Sequence, residues 1–588
     1  MKEGARGGGG GRSRARWFQG AVWQPFCDHR PRRTRPVMMA YDATAIPIER
    51  SGSLGDEGAG LRWSVGLLLA TLAFSPLLVN LLAGPDANGL KAVLVLVETA
   101  IVGAWAWRRR DIFVPRRPGI ATAVLLTCWI TAAVVATVVA IHPAAAVLRS
   151  AEWLACGLIG LMLWSEFQRD PSLRVTAIRA VPVGMVAMIG YSLLFAASLP
   201  DPLNYDWAHD MPLVGHVRHL GIYAFCGASF AAYALVDPGA SAVARRLSWV
   251  ALALGWGAVI WSGGRASAGA LLVVGLVLSA LASGRRFAFV TAFLAALAAG
   301  VALSLAMAVP HPALGLWRIL GASVGLDEVG FSNGRAEMWQ SSLAAWRERP
   351  WLGHGPNGTT YVLARYGQVQ PHNIGIQALV EWGVLGAVPA IGLLVSLVLR
   401  ALSGAWRAAG EQASVRATRV IAAAFLTGAT ANALLDGIYY DTRTMLLVTL
   451  AAAIALVPVS GAEPPRLLHG SRLLLRAGTL AVATVMLTHA AAVSAVWSPD
   501  VPGPSSARVA LLRAFPSPSR TRQVASWATA WSASDPDAAL AWARWGARNA
   551  HMPLPFIQLE ADLLLRAGRD NEARERLTAI RLLLRDGQ

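Results

Sequence analysis

The chain has 588 residues, of which 55% are hydrophobic and only 15% are charged, and its net charge is +18. Soluble domains carry about 25% charged residues, so a soluble multidomain protein is excluded and a polytopic membrane protein is indicated. Nucleic-acid binding is one interpretation of a basic chain. The arginines are spread between apolar segments, however, and the positive-inside rule explains that spread better.

The first 60 residues are rich in glycine and arginine at first and then mixed polar. This composition predicts a disordered, basic cytoplasmic head. The alternative is a true start further along, at Met38 or Met39. Four cysteines without metal-type spacing argue against a zinc site or a disulfide framework.

Thirteen apolar runs follow, and they predict an all-α membrane domain over residues 61–497. They lie at about 62–83, 90–107, 119–141, 148–165, 177–199, 219–236, 247–262, 266–283, 287–309, 373–399, 418–435, 443–460 and 474–497. Alternate loops hold two to five arginines each, whereas the short loops between them hold about one. The basic loops are therefore predicted to be cytoplasmic, with the N-terminus inside and the C-terminus outside.

This orientation places three segments on the outer face: the loop 200–218, the large loop 310–372 and the tail 498–588. In the tail, residues 536–549, 556–567 and 571–585 have apolar positions at helical spacing, and a weaker helix is predicted at 521–532. The turn near Gly568 resembles that of a tetratricopeptide repeat. The tail is therefore predicted to be a small helical, repeat-like module.

His372 stands at the mouth of a long apolar run, directly after the polar loop. Asn373 can cap the helix, which leaves the imidazole available for proton transfer, and the helix N-terminus would favour a phosphate. The alternative is an interfacial histidine that only caps the helix. Glu381 lies nine residues further on, ~13 Å deeper, and an ionisable group within a membrane segment is a functional candidate.

Three arginines of the predicted outer face are candidates for holding a diphosphate. Arg335 follows Gly334 in the large loop, at the start of an amphipathic segment 334–348, and Arg265 lies in a turn of about four residues between two spans. Arg218 opens the span at 219–236. A guanidinium can bind phosphate oxygens through two donors. The alternatives are an interfacial helix for 334–348, a single exposed arginine at 265 and pairing of Arg218 with nearby aspartates.

Other polar residues give weaker signals. Glu98 and Glu152 fall within apolar spans and receive no role, and Asp436 and Asp441 lie in a short loop that could line an acceptor site. No nucleotide-binding glycine loop is present. An outward-facing transferase would need an activated donor already in the membrane, such as a lipid diphosphate sugar, and arginines can neutralise the leaving diphosphate without a metal or cofactor.

Two stretches resemble the O-antigen ligase superfamily, which includes O-antigen ligases, O-antigen polymerases and bacterial protein O-oligosaccharyltransferases. NGRAEMWQSSLAAWRERPWLGHGPNG followed by PHNIGIQALVEWGVLG resembles its large-loop signature, and SGGRASAGALL resembles its upstream arginine motif. The resemblance covers about 330–390 and 215–270. It implies a GT-C-like fold in the bacterial inner membrane and transfer, with inversion, of a glycan from undecaprenyl diphosphate to an acceptor on the periplasmic face.

The resemblance also implies roles for particular residues. Arg265 and Arg335 match the diphosphate-binding arginines, Arg218 maps less securely, and His372 matches the histidine near the acceptor hydroxyl. Gly334, Asn373 and Glu381 would support them. The acceptor stays open between lipid A-core, a growing glycan and a protein serine, although the helical tail leans toward the oligosaccharyltransferase branch. A lipid-linked glycan transporter and a non-catalytic assembly protein are the competing classes.

Overall fold

The computed structural model describes most of the chain between residues 66 and 585. The described residues are 66–71, 74, 87–109, 112–114, 119–208, 210–282, 285–309, 311, 314–321, 335–363, 370–439, 441–458, 466–468, 471–496, 536–549 and 554–585. The predicted head, most of the first predicted span, Gly334 and the predicted helix 521–532 lie outside these residues. All described residues fall within one compact unit, 55–588.

The structure is built almost wholly from α-helices. They are α1 (Ala87–Arg108), α2 (Ile120–Val138), α3 (Pro143–Arg169), α4 (Ser172–Ser198), α5 (Val217–Ala231), α6 (Tyr233–Val236), α7 (Ala242–Trp261), α8 (Arg265–Leu281), α9 (Arg286–Ala306), α10 (Gly315–Ile319), α11 (Arg335–Glu348), α12 (Gly358–Val362), α13 (Ile374–Arg407), α14 (Ala413–Ala433), α15 (Thr442–Ala455), α16 (Ser471–Val496), α17 (Pro536–Asn549), α18 (Leu554–Arg566) and α19 (Asp570–Arg585). Two short strands, β1 (Ile112–Val114) and β2 (Arg466–Leu468), pair antiparallel.

Seven helices in the described part of the chain are long and apolar enough to cross a membrane. They are α2, α3, α4, α5 with α6, α7, α9 and α13. Shorter apolar helices are α8, α15 and residues 473–488 within α16. The all-α, multi-pass membrane class is therefore confirmed. A helix also occupies each predicted span from the second to the thirteenth, but the number of thirteen crossings stays a prediction.

Some predicted boundaries differ from the structure. Helix α13 continues to Arg407 rather than ending near 399, because arginine is a good helix former and hydropathy alone ended the span too early. It also bends at Gly383, whose φ of 60° lies in the left-handed region. The span at 219–236 is divided into α5 and α6.

Helix α5 lies at the centre of the bundle, since nearly all of its residues are buried. It packs on α4, α7 and α8, while α14 packs on α8 and α15 packs on α3. Small residues let these helices approach closely. A Cβ added at Gly255 of α7 would lie 2.6 Å from the Cβ of Ala228 of α5, so a larger residue there would separate the two helices.

The bundle has two ends with different contacts. We call one the strand end, because β1 pairs with β2 there; both strands belong to loops predicted to be cytoplasmic. The loop end is the other, where Arg349 donates to the Val139 carbonyl oxygen and Ile141 N–H donates to the His354 carbonyl oxygen. Segments predicted to share a face therefore contact one another, whereas the orientation of that face in a membrane stays a prediction.

The three C-terminal helices form a small cluster of their own. Helix α18 packs on both α17 and α19, around Leu540, Leu563 and Leu564. Arg544 of α17 bonds Glu560 of α18 at 2.9 Å. The three helices predicted in the tail are thus confirmed, and the repeat-like character of the module stays a prediction.

Candidate active site at the loop end

His372 is held in an uncommon backbone conformation just before α13. Its φ is 49°, in the left-handed region that few non-glycine residues adopt. Asn373 caps α13 by accepting from the Ile376 N–H at 3.1 Å, and its amide donates to the Leu434 carbonyl oxygen at 3.0 Å. Trp339 of α11 donates to the Pro371 carbonyl oxygen at 2.9 Å. Residues on both sides of His372 are therefore fixed, as is typical of strained functional positions.

The imidazole of His372 pairs with a carboxylate 64 residues away. Nδ1 of His372 lies 3.0 Å from Oδ1 of Asp436, which also accepts from the Gly437 N–H at 2.8 Å. Burial raises the pKa of Asp436, but the hydrogen bond and charge of His372, the Gly437 N–H and the Arg218 charge together lower it to about 2. An ionised Asp436 accepts from Nδ1–H, so Nε2 of the neutral ring is the nitrogen that can accept a proton.

Four arginines gather beside this pair. Arg265 Nε donates to the Arg318 carbonyl oxygen at 2.9 Å. Burial lowers the pKa of Arg318, and the charges of Arg218, Arg265 and Arg335 lower it further. Burial also lowers the pKa of Arg335; the Asp436 charge opposes this, and the charges of Arg218 and Arg265 add to it. The mutual repulsion of these guanidiniums would be relieved by an anion bound among them.

The local sequence explains how three of these arginines are positioned. Arg218 lies in the first turn of α5, where the His216 ring caps the helix by accepting from the Arg218 N–H at 3.0 Å. Arg265 begins α8 directly after a tight turn in which Gly263 has a φ of 65°. Arg335 begins α11. All three therefore start helices, where the positive end of the helix dipole adds to their attraction for an anion.

Glu381 lies outside the arginine cluster and joins α13 to the segment that follows α11. It is buried, and its carboxylate accepts from Thr359 Oγ1 at 2.8 Å and from Gln377 Nε2 at 3.2 Å. Gly355 N–H donates to the Glu381 carbonyl oxygen at 2.9 Å. The Glu381 side chain thus fastens the segment after α11 to α13, which is a positioning contribution.

Close backbone approach in this region explains the glycines of the large-loop motif. A Cβ added at Gly383 would lie 2.2 Å from the carbonyl carbon of Trp351, and one added at Gly353 would lie 2.6 Å from the Glu381 carbonyl oxygen. The His354 ring is buried, and its Nε2 lies 2.8 Å from the Ala345 carbonyl oxygen. The motif therefore docks α11, and with it Arg335, onto α13.

The structure brings Arg218, Arg265, Arg335 and His372 together, as the predicted outer-face arginines and histidine required. It adds Arg318, which no sequence signal marked, and it gives Asp436 a partner that the sequence did not indicate. Asp441, the other aspartate of that loop, instead bonds Arg443 at 2.7 Å. Gly334 lies outside the described residues.

Glu152 also receives a structural partner, because it forms an ion pair with Arg149. Arg149 in turn donates to the Tyr439 carbonyl oxygen at 3.0 Å. The Arg149–Glu152 pair therefore holds the loop that carries Asp436. This intramembrane charge was visible in the sequence, but its attachment to the loop was not.

Comparison with known proteins bears on the same region. Residues 250–391 match the family model described as O-antigen ligase. The match contains Arg265, Arg318, Arg335 and His372, whereas Arg218 and Asp436 lie outside it. A search of curated proteins finds no match to the chain.

The family match and the apolar helices together support a multi-pass membrane protein with glycosyltransferase activity of the ligase and polymerase kind. Lipid-linked glycan and acceptor substrates are implied by the same family. The resemblance inferred from the motifs is thereby confirmed: residues 250–391 of this chain are a domain of the O-antigen ligase family.

Proposed function

We propose that the chain transfers a glycan from undecaprenyl diphosphate to an acceptor hydroxyl on the periplasmic face of a bacterial inner membrane. The observation that carries this proposal is the juxtaposition of the His372–Asp436 pair with Arg218, Arg265, Arg318 and Arg335. A proton acceptor beside a concentrated positive charge is what such a transfer needs, since a hydroxyl loses a proton while a diphosphate leaves.

In the proposed reaction the acceptor oxygen attacks the anomeric carbon of the donor sugar. A bond forms between that oxygen and the anomeric carbon, and the bond from the anomeric carbon to the diphosphate oxygen breaks with inversion. His372 Nε2 accepts the hydroxyl proton, and Asp436 stabilises the resulting imidazolium through Nδ1–H. Undecaprenyl diphosphate departs with the electron pair.

The arginines act on the leaving group in this scheme. The diphosphate gains charge in the transition state, and guanidiniums arranged in advance stabilise that charge more strongly than water does. No metal ion or cofactor takes part in the proposed mechanism. The mutual repulsion of the arginines before the donor binds makes the site selective for a doubly charged group over a neutral one.

The proposed orientation of the protein in the membrane follows from the distribution of arginine between its loops. The proposal places the loop end in the periplasm and the strand end in the cytoplasm, with the N-terminus inside and the C-terminal helices outside. A periplasmic site agrees with a donor that is anchored in the membrane and needs no nucleotide.

The test is reconstitution of the purified protein with an undecaprenyl-diphosphate glycan. Three acceptors are supplied separately: lipid A-core, a growing glycan and a serine-containing peptide. The products are resolved by mass spectrometry. Wild type is compared with Arg335→Ala and with Arg347→Ala, a matched control on the same helix whose side chain is exposed.

Transfer to one acceptor by wild type and by Arg347→Ala, with loss in Arg335→Ala, is the expected result. The acceptor that receives the glycan distinguishes a ligase from a polymerase. A wild-type protein that moves the intact donor across a vesicle without forming product would replace the transferase proposal with a transporter.

A further inference from the structure

The loop between α14 and α15 carries Asp436, which pairs with His372. Thr444, in the first turn of α15, donates through its Oγ1 to the Ile438 carbonyl oxygen. Ile438 and Tyr439 are both buried. The described residues of this loop form neither helix nor strand. The position of the Asp436 carboxylate therefore depends on how the buried backbone that follows it is held.

A third helix, α3, reaches the same loop through Arg149. Its Nη2 atom donates to the Tyr439 carbonyl oxygen at 3.0 Å, three residues along the chain from Asp436. Nη1 of the same guanidinium donates to the Glu152 carboxylate. The two ends of the guanidinium fork thus have separate partners, one on α3 and one in the loop.

The Arg149 side chain is fixed by its own helix. Glu152 and Trp153 follow it by three and four residues, so the three side chains share one face of α3. The guanidinium carbon lies 5.6 Å from the centroid of the Trp153 ring, within the range of cation–π attraction. Trp153 in turn meets Trp382 of α13 edge to face, with ring centroids 5.9 Å apart. Arg149 therefore gives the loop a contact that is tied to two helices of the bundle.

The influence of Arg149 on Asp436 passes through the backbone. Among the described residues, the charges that lower the pKa of Asp436 are those of His372 and Arg218. Arg149 is not one of them. Its hydrogen bond to the Tyr439 carbonyl oxygen is therefore the contact through which it can affect the proton acceptor.

A buried ion pair is weak evidence for a role in stability alone. Taking two charges out of water costs about as much as their attraction returns, and apolar residues of similar volume can replace such a pair without loss of stability. Ionisable groups within membrane segments are typically functional. An apolar pair could not donate to the Tyr439 carbonyl oxygen, whereas Arg149 does, so the contact to the loop is what distinguishes this pair from an apolar replacement.

We propose that Arg149 is a positioning residue for the transfer reaction: by holding the Tyr439 carbonyl oxygen, it places the Asp436 carboxylate against Nδ1 of His372. Glu152 neutralises the guanidinium within the membrane segment. The inference rests on the proposed function, because it assigns a residue to the proton acceptor of that reaction. Displacing a catalytic group by about 1 Å can cost about 10²-fold in rate. Loss of this contact should therefore lower kcat without changing how tightly the donor is bound.

The first experiment replaces the whole ion pair, so that neither buried charge is left without its partner. Arg149→Met combined with Glu152→Leu should keep a melting temperature close to that of wild type. With the acceptor that wild type uses, we expect kcat to fall about tenfold and the KM of the donor to stay within about twofold.

The matched control is the buried pair at the strand end. Arg419 also bonds a glutamate, Glu411, and donates to a loop carbonyl oxygen, that of Val457. Arg419→Met combined with Glu411→Leu should leave kcat per folded molecule within about twofold of wild type. An equal fall of kcat in both pair replacements would overturn the positioning role, because any lost ion pair would then have the same effect.

A double-mutant cycle determines whether Arg149 acts through Asp436. The Arg149–Glu152 replacement is combined with Asp436→Asn, which already removes the carboxylate charge. If Arg149 positions that carboxylate, the replacement should lower kcat by less than about threefold in this background. A tenfold fall in both backgrounds would overturn the proposal, as would a rise in the KM of the donor with unchanged kcat, since Arg149 would then be a binding group.

Arg149→Lys separates the contact to the loop from the charge. Lysine keeps a positive charge beside Glu152, but its single ammonium replaces a fork that reaches two partners. We expect an unchanged melting temperature and a kcat lowered about fivefold. Absence of transfer by the wild-type protein would contradict the proposed function itself. Transfer by wild type with the same kcat in Arg149→Lys and in the pair replacement would overturn only the positioning role.

Discussion

Arginine is abundant at both ends of the bundle but is used differently at each. At the strand end, Arg109 bonds Glu166 at 2.6 Å, and Arg419 bonds Glu411 at 2.8 Å together with the carbonyl oxygens of Val457 and Pro458. These arginines are satisfied within the protein and close the helix ends.

At the loop end, the charges of four neighbouring arginines act on one another. Arg218, Arg265 and Arg335 all lower the pKa of Arg318. A cluster of like charges of this kind is a candidate for binding an anion, whereas an ion pair such as Arg419–Glu411 is part of the packed fold. The surroundings of an arginine, rather than its presence in a loop, therefore distinguish a candidate binding residue from a topological signal.

The largest effect expected at the loop end is that of the proton acceptor. His372→Ala should lower the transfer rate by about 10²–10⁴-fold, because the hydroxyl would lose its base. The rate is measured with purified protein at matched concentration, and the melting temperature is the control for folding. A rate within about threefold of wild type would remove His372 from the reaction.

The carboxylate behind the histidine should matter almost as much. Asp436→Asn should slow transfer about a hundredfold, because an amide carries no charge to stabilise the imidazolium and can favour the other tautomer. With its pKa lowered to about 2, Asp436 stabilises the fold above its ordinary pKa and loses that contribution only as the pH falls toward 2.

Assays near neutral pH therefore always meet a charged Asp436. The acid side of the wild-type rate profile should not reflect its titration. The check is kcat measured across the pH range. If kcat fell only near pH 2, where Asp436 becomes protonated, this prediction would be contradicted.

The arginine cluster should respond strongly to loss of one member. Arg335→Ala should lower kcat/KM for the donor by about 10²–10³-fold, because one group that stabilises the leaving diphosphate is removed. Arg335→Lys keeps the charge but not the two parallel donors, so it should recover only part of the loss. Arg347→Ala, the control on the same helix, should stay within about twofold of wild type.

At the strand end the expected effect falls on stability instead. Arg419→Met should lower the free energy of unfolding by about 3–5 kcal/mol, since Glu411 would keep its charge without its partner. Denaturation of the detergent-solubilised protein measures this, and the rate per folded molecule should not change. Arg407→Met, at an exposed arginine of α13, is the control. A selective loss of kcat in Arg419→Met would mean that the two ends do not divide stability and function.

The smallest expected effect is that of replacing Arg318, the fourth arginine of the loop-end cluster. Arg318→Gln keeps the backbone carbonyl that accepts from Arg265 but removes one of four repelling charges, so the unliganded protein should unfold at an equal or slightly higher temperature. The KM for the donor should rise by about tenfold or less. A large loss of stability would show that the Arg318 side chain stabilises the fold, as Arg419 does at the strand end.

Much of this organisation could be predicted from local sequence. Apolar runs predicted the helices because bilayer thickness sets their length. The motifs predicted Arg265, Arg335 and His372 as candidate site residues. Asn373 caps α13 as its position indicated. Two features were not predictable in this way. The bend of α13 at Gly383 arises from backbone that approaches from Trp351, and Arg318 lies in a loop without a recognisable pattern.

The sequence by itself determined the membrane class, the positions of the helices and the sorting of basic loops, because hydropathy and charge act locally along the chain. Only the tertiary structure decided which polar residues meet. His372 reaches Asp436 across 64 residues, and Arg265 reaches the Arg318 carbonyl across 53, because α5, α8, α13 and α14 pack so that their ends coincide. Such pairings depend on packing between distant segments, which no local pattern records.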